Sequence, residues 1–457
     1  MRLKVPAVAW MIFGAMCAPA AAPPDSHPVP HVSFDGPSLA FDFPAVKIGV
    51  AEYEEGPTGA TVIVFNKQVM AAVDVRGGAP GTVNTDVLRL GGDLSTVDAI
   101  TLAGGSAYGL AVATGVANAL KERAKDPGNF RNIAVVPGAI IFDLGGRRYN
   151  AVTPDERLAR AALDAMRSGW IPLGARGAGR FAMQGGYFGE FQHSGQGAAF
   201  RQSGDIKVLV VTVVNALGAI VDRNGQMLRC AHPTAGACGP IAERIASHLA
   251  ALAAAKNANA DAGQHAGLTA NTTITVLVTN QSLPHWALQR LAVQVHNSMA
   301  RAIQPFGTEF DGDTLFAVST DEIKNAAMSG PDLGALASEV AWDAILASAP
   351  VLPAAAARSE VGITAAVAEL YRGRYELAPG AIAEVRPAGA GLEIEVAGRA
   401  SLYVPADKWV ALTPLGKDEF ELATPRADRL RFDRDASARI VGFTIDPGPW
   451  PIHGRRL

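Results

Sequence analysis

The sequence predicts an α/β fold: a large unit over residues 46–350, then a small antiparallel β domain over 363–457. Three observations carry this. Continuous apolar runs of four to seven residues, typical of buried strands, recur along the first part of the chain. Between them lie longer stretches in which apolar residues return every third or fourth position, the spacing of a helix with one buried face. After the run Ala347-Ser-Ala-Pro-Val-Leu-Pro-Ala-Ala-Ala-Ala357 the pattern changes to short segments alternating apolar and polar residues, separated by turn residues.

The elements follow in chain order. Arg2 and Lys4, the apolar run Val5–Cys17 and the small residues of Cys17-Ala-Pro-Ala-Ala-Ala22 read as a secretory signal peptide over 1–22. Residues 23–45 form an N-terminal extension. Buried strands are expected at Ala60–Phe65, Ile133–Val136, Val208–Val214 and Thr273–Thr279. Helices are expected over 107–123, 154–167, 285–303 and 334–348. In 285–303, Leu288, Leu291, Ala292, Val295 and Met299 share one face. The Ala-, Asn- and Gly-rich stretch 253–268 reads as an exposed loop. A linker over 351–362 leads to strands at Leu392–Val396, Glu419–Leu422, Arg429–Phe432 and Ile440–Ile445. The segment Leu370–Leu377, with Leu430–Phe432 and Val441–Phe443, resembles the small β domain appended to some serine β-lactamase-like hydrolases; no catalytic role follows for it.

Composition narrows the function. The 457 residues carry 40 Lys+Arg and 43 Asp+Glu, a net charge of −3 that gives no basic field for nucleic acid. With 49% apolar and 18% charged residues a disordered chain is excluded. Beyond the leader no stretch reaches the ~18 apolar residues of a membrane span. Two cysteines remain after the leader, Cys230 and Cys238, which either close a short disulfide loop or stay reduced. With only His232 nearby they do not make a four-ligand metal set.

Four segments could carry chemistry. In Leu268-Thr-Ala-Asn271-Thr272-Thr273-Ile-Thr-Val, a loop runs straight into a buried strand. That placement suits a chain that cuts itself: the Thr272 hydroxyl attacks the Asn271 carbonyl, and the freed α-amino group, titrating near ~8, then serves as the hydroxyl's own base. The same residues also fit ordinary turn chemistry. Asp311 and Asp313 flank Gly312 just before the run Leu315–Ser319. They could order protons around Thr272 or form an Asx turn; a Ca²⁺ loop lacks its further oxygen ligands. Asn215 ends the 208–214 run, where its amide could donate to an oxyanion or simply terminate the strand. Gly104-Gly-Ser-Ala-Tyr-Gly-Leu110 opens the 107–123 helix without the lysine or spacing of a nucleotide loop, so close packing is the reading preferred there.

Taken together, these segments resemble the self-processing L-aminopeptidase/D-esterase family, with its β-peptidyl aminopeptidase and nylon-oligomer hydrolase relatives. The matching stretches are Asp74–Thr82, Gly104–Leu110, Val136–Leu144, Val214–Gly218, Asn271–Ile274 and Phe310–Ala317, in the family's order. The resemblance implies a four-layer α/β/β/α sandwich akin to the ornithine acetyltransferase fold. It also implies autocatalytic cleavage between Asn271 and Thr272, with Thr272 as nucleophile, Asp311 and Asp313 as its assisting pair and Asn215 supporting the oxyanion. Two departures stand out. The Gly-rich run with a lysine found in many members reads His193-Ser-Gly-Gln-Gly-Ala198 here, with Arg180 and Gln184-Gly-Gly186 upstream. Phe142 stands where some members have a tyrosine.

The expected product is a periplasmic or secreted, cofactor-free and metal-free hydrolase with chains of about 23–271 and 272–457, assembled as a homo-oligomer. It would act on a short peptide, amide or ester bearing a free amino group. Transfer of the acyl group to an amine, as in ornithine acetyltransferase, and an uncleaved binding protein are the alternatives.

Overall fold

The structure, a computed structural model, describes residues 28–89, 91, 95–129, 132–144, 147, 149–230, 238–257, 271–349, 362–378, 381–389, 391–397, 408–424, 428–445 and 451–457. The expected leader at 1–22 and all but the last residue of the expected linker at 351–362 lie outside the described residues.

One strand organises the large unit. Thr58–Val75 runs for 18 residues and serves two layers. Its first half pairs antiparallel with Val46–Tyr53 on one side and Thr96–Ala103 on the other. Its second half, from Met70, pairs antiparallel with Thr314–Ile323. The exposed residues Asn66, Lys67 and Gln68 mark the change of register between them, the irregularity that bends a strand from one layer into the next. The second layer continues outward through Thr272–Gln281 and Ile206–Asn215 to Gln196–Ser203.

Strand periodicity decides what each face meets. Ile48, Val50, Ile63 and Ile100 of the first layer share one core with Val211, Val213, Ile274, Val276 and Val278 of the second. On the outer face of the first layer, Val62 and Val64 pack with Val112 and Val116 of helix Ala111–Arg123 and Leu158 of helix Glu156–Asp164. Outside the second, Val208, Val210, Leu277 and Leu315 pack with Leu288 and Val295 of helix His285–Ser298 and with Val340 of helix Gly330–Ala347. The result is an α/β/β/α sandwich with three apolar seams.

Two expectations are corrected. Ile133–Val136 is not a strand: the Asp98 carboxylate accepts the Val135 N–H at 2.8 Å, Pro137 has no N–H to donate, and ladder pairing starts at Gly138–Ile140. Ile133 is exposed. The 253–268 stretch is not all loop, because helix Ile241–Asn257 runs through its first alanines, the strongest helix formers. Residues 258–268 lie outside the described residues.

The C-terminal unit is a closed barrel of eight strands, from Gly373–Ala378 to Ile452–Arg456, each antiparallel to its neighbours. Tyr375 pairing with Arg456 closes the ring and removes its edges. Tyr375, Ala383, Ile394, Leu412, Phe420, Phe432 and Phe443 are buried in its core, and Phe181 of the sandwich joins the same cluster. Cys230 and Cys238 form a disulfide, with Cα atoms 5.6 Å apart. Among the described residues no helix is long and apolar enough to cross a membrane.

Candidate active site

The end of one strand and the starts of two others meet at one end of the second layer. Thr272 opens its strand opposite Asn215, the last residue of the antiparallel neighbour. On the other side the parallel strand Thr314–Ile323 begins directly after Asp313, with Ile274 beside Thr314. One residue before the nucleophile candidate, Asn271 bridges to Asp311. Asn215, Asn271, Thr272, Asp311 and Asp313 are therefore gathered in one place, and all are buried.

The bond between Asn271 and Thr272 is held under strong polarisation. The Thr272 Oγ1 hydroxyl donates to the Asn271 carbonyl oxygen at 2.6 Å, and the Gly312 backbone N–H donates to the same oxygen at 2.6 Å. Two donors on one buried carbonyl make its carbon more electrophilic. A Cβ at 312 would lie 2.6 Å from Thr272 Oγ1, so any larger residue must push that hydroxyl aside.

A turn over residues 76–79 clamps this segment from above. Arg76 and Gly77 donate their N–H groups to the Asp313 carbonyl at 2.9 and 3.3 Å, and Ala79 donates to that of Asp311 at 2.8 Å. A Cβ on Gly77 would stand 2.1 Å from the Asp311 carbonyl oxygen, so the turn can approach only as glycine.

The two carboxylates are held differently. Asp313 accepts the Thr273 N–H at 2.6 Å and the Gly307 N–H at 3.0 Å. Burial, and after it the Asp311 carboxylate nearby, push Asp313 well above the usual carboxylate range against those two donors. Asp311 accepts from the Thr308 hydroxyl at 2.6 Å, the Thr308 N–H at 2.9 Å and the Leu217 N–H at 3.3 Å. Asn215 uses its amide locally: Oδ1 accepts the Met183 N–H at 2.9 Å and Nδ2 donates to the Phe142 carbonyl at 3.0 Å. Its backbone lies opposite Thr272, while the donor on the Asn271 carbonyl is Gly312.

In the 180–198 stretch, where a lysine is missing, Arg180 pairs with Glu52 at 3.3 Å and Glu54 at 2.8 Å. Gln184 accepts the Ile220 N–H at 3.0 Å. Among the described residues no three His, Cys, Asp or Glu side chains are grouped to hold a metal. Sequence reasoning missed Gly312 and the 76–79 turn as parts of the site. The Gly77-Gly78 pair and the glycine between two aspartates were the visible traces of both.

The profile of peptidase family S58 matches residues 40–370, which include every residue of this site. The chain belongs to peptidase family S58. It is 43% identical over 319 residues to a 6-aminohexanoate-oligomer endohydrolase of Paenarthrobacter ureafaciens, covering 67% of this chain and 85% of that protein. An uncharacterized aminopeptidase of Mycobacterium tuberculosis is 38% identical over 275 residues, 58% of this chain and 74% of its own length. The fold resembles the L-aminopeptidase D-Ala-esterase/amidase of Ochrobactrum anthropi, described as a variant of the N-terminal-nucleophile hydrolase fold. The TM-score is 0.50 and the identity 17%, over 69% of this chain and 88% of that one. The sandwich therefore has the N-terminal-nucleophile hydrolase fold, and as an S58 member the chain is a hydrolase of peptide-type bonds. The barrel strands begin at Gly373, past the end of the S58 match.

Proposed function

We propose that this S58 hydrolase cuts its own chain between Asn271 and Thr272 and then uses the new N-terminal threonine to hydrolyse amide bonds of short peptides or amino-acid oligomers. One observation carries the reading: the Thr272 hydroxyl and the Gly312 N–H converge on the Asn271 carbonyl, each at 2.6 Å. In the first step Oγ1 bonds to the Asn271 carbonyl carbon and its proton passes to the Thr272 nitrogen as the C–N bond breaks. Gly312 holds the developing oxyanion. Water then hydrolyses the resulting ester, leaving Asn271 with a carboxylate and Thr272 with a free amine.

In turnover that amine takes the Oγ1 proton as the hydroxyl attacks the substrate carbonyl, and returns it to the departing amine. Asp313 fixes the strand at Thr273 and Asp311 fixes Leu217 beside Asn215, so the two carboxylates order the proton network. Asn215 supplies a further amide proton to the substrate oxyanion. Water releases the acyl group. The matched relatives, named as an oligomer endohydrolase and as aminopeptidases, favour hydrolysis over transfer to an amine. Export to the periplasm and assembly of cleaved protomers belong to the same reading; the leader composition and the Cys230–Cys238 bond support export.

Intact mass spectrometry of the purified protein tests the proposal. Wild type should give two chains, the second beginning Thr-Thr-Ile-Thr, and Thr272→Ala one uncut chain without activity. A single wild-type chain with full hydrolase activity would sink it.

A further inference from the structure

Behind the clamp on Asp311–Asp313 lies a hydrogen-bonded pair, one partner buried and the other partly so, that the mechanism leaves unused. Asp74 stands near the end of strand Thr58–Val75, and its Oδ2 accepts from His296 Nδ1 at 2.9 Å and from Arg76 Nε at 2.6 Å. His296 belongs to helix His285–Ser298, is wholly buried, and its Nε2 has no hydrogen-bond partner. We propose that Asp74 and His296 are positioning residues of the self-cleavage step, holding the two arms that aim Gly312 and Asp313 at the Asn271–Thr272 bond. The proposal rests on the reading of Thr272 given above.

Both arms start from this pair. The first is the 76–79 turn. Asp74 grips the Arg76 side chain, and the backbone of that same residue, with Gly77 and Ala79, donates to the carbonyls on either side of Gly312. Fixing those two carbonyls fixes the peptide planes around Gly312, and with them the direction of its N–H. The second arm is the segment 306–307. The His296 ring meets Phe306 edge to face, with centroids 5.5 Å apart, and the next residue, Gly307, donates its N–H to Asp313 Oδ2. A third tie comes from the same helix, where Gln289 donates to the Val73 carbonyl at 2.8 Å.

The protonation pattern suits a fixed anchor. A carboxylate only accepts, so the proton of the neutral imidazole sits on Nδ1. Burial keeps His296 neutral by pushing its pKa down against the pull of Asp74. Burial opposes ionisation of Asp74, but the bonds from His296 and Arg76 outweigh it and hold the carboxyl below its usual range. A charged acceptor gripped by a neutral ring and a guanidinium makes bonds stronger than neutral pairs would. Neither residue touches the scissile bond, so both act through the clamp.

The test follows conversion of newly made full-length chain into two chains on denaturing gels, for wild type, Thr272→Ala, His296→Leu, His296→Asn and Asp74→Asn. His296→Leu removes the donor, whereas His296→Asn keeps an N–H near the Nδ1 position. The expected result is cleavage slowed at least about tenfold in His296→Leu and in Asp74→Asn, with His296→Asn, which keeps the donor but gives up the ring contact with Phe306, clearly faster than His296→Leu. Once cleaved, and with kcat expressed per folded, active-site-titrated enzyme so that an unfolded fraction does not count, His296→Leu should show a lower kcat with little change in KM. Asp74→Asn changes almost no volume and reads the same bond should the leucine variant not fold. Thr272→Ala uncut, with His296→Leu and Asp74→Asn both at the wild-type rate, would overturn this proposal and leave the nucleophile standing. So would His296→Asn being as slow as His296→Leu, since the donor would then not matter. Two chains from Thr272→Ala would overturn the nucleophile and this proposal together.

Discussion

Gly312→Ala probes the carbonyl donor without replacing any side chain of the site. The added Cβ would lie 2.6 Å from Thr272 Oγ1, 2.8 Å from the Ala79 carbonyl oxygen and 3.2 Å from Thr272 Cγ2. Ordinary contact requires those gaps to open by on the order of 0.5–1 Å. Thr272 is hemmed between two strands and Ala79 is tied to Asp311, so neither side yields freely. Overpacking of this kind costs about 1–3 kcal/mol of stability. The kinetic effect is larger. Moving an attacking atom by about 1 Å costs roughly 10²-fold, and losing an aligned oxyanion donor costs about 10²–10³-fold. Self-cleavage should therefore slow by at least about 10²-fold, while the variant still folds. The assay is a pulse of expression followed by timed denaturing gels, with Thr272→Ala as the uncut standard and circular dichroism reporting the fold. Wild-type cleavage by a folded Gly312→Ala protein would refute the role given to this N–H.

Asn215→Ala should still yield two chains, because Gly312 already occupies the Asn271 carbonyl; it should lower kcat for substrate by about 10²-fold, and an uncut Asn215→Ala chain would count against that division. Glu52 is fully buried, and burial, opposed by Arg180, Arg176 and the Gly177 N–H and reinforced by Glu54, pushes its pKa from 4.5 up to about 7. The stability it lends is complete below pH 4.5 and is lost as pH rises through 7, a fall of about 3 kcal/mol. Urea unfolding at pH 5 and pH 8 measures it, and Glu52→Gln should flatten the difference. Replacing Cys230 and Cys238 by alanine opens a loop of sequence separation 8 and should cost about 2–3 kcal/mol by the chain-entropy estimate, read as a lowered denaturant midpoint.

Side chains advertise themselves in a sequence more clearly than backbone groups do. The strand at Thr272 was legible because an apolar run ends abruptly at polar residues, and Asp311 and Asp313 stood out as paired carboxylates before another run. The donor on the Asn271 carbonyl was not, since a backbone N–H has no letter of its own; only the glycine that makes room for it does. Asn215 was visible as a strand terminator, yet its bonds to Met183 and Phe142 join segments 32 and 73 residues away and carry no periodic signal. The long strand Thr58–Val75 was seen only as Ala60–Phe65, because exposed Asn66, Lys67 and Gln68 interrupt the pattern where the strand changes layer. Ile133–Val136 misled for the opposite reason: its residues suit a strand, but the Asp98 side chain takes the N–H that a ladder would use.

The site, on this reading, performs one kind of chemistry twice with the same backbone. Before cleavage the Asn271 carbonyl fills the position that a substrate carbonyl fills afterwards, and Gly312 faces both. What changes between the two reactions is the base. The precursor amide nitrogen is not basic and receives the proton as the bond breaks; the free amine that replaces it can take the hydroxyl proton directly. A rigid donor and a changing base require that the donor's frame survive the cut. Here the carbonyls flanking Gly312 are held by the 76–79 turn, and the segment leads straight into the strand Thr314–Ile323. Release of Asn271 removes one hydrogen-bond acceptor from Gly312 and leaves its supports in place, which is the condition for the uncut chain to foreshadow the working enzyme.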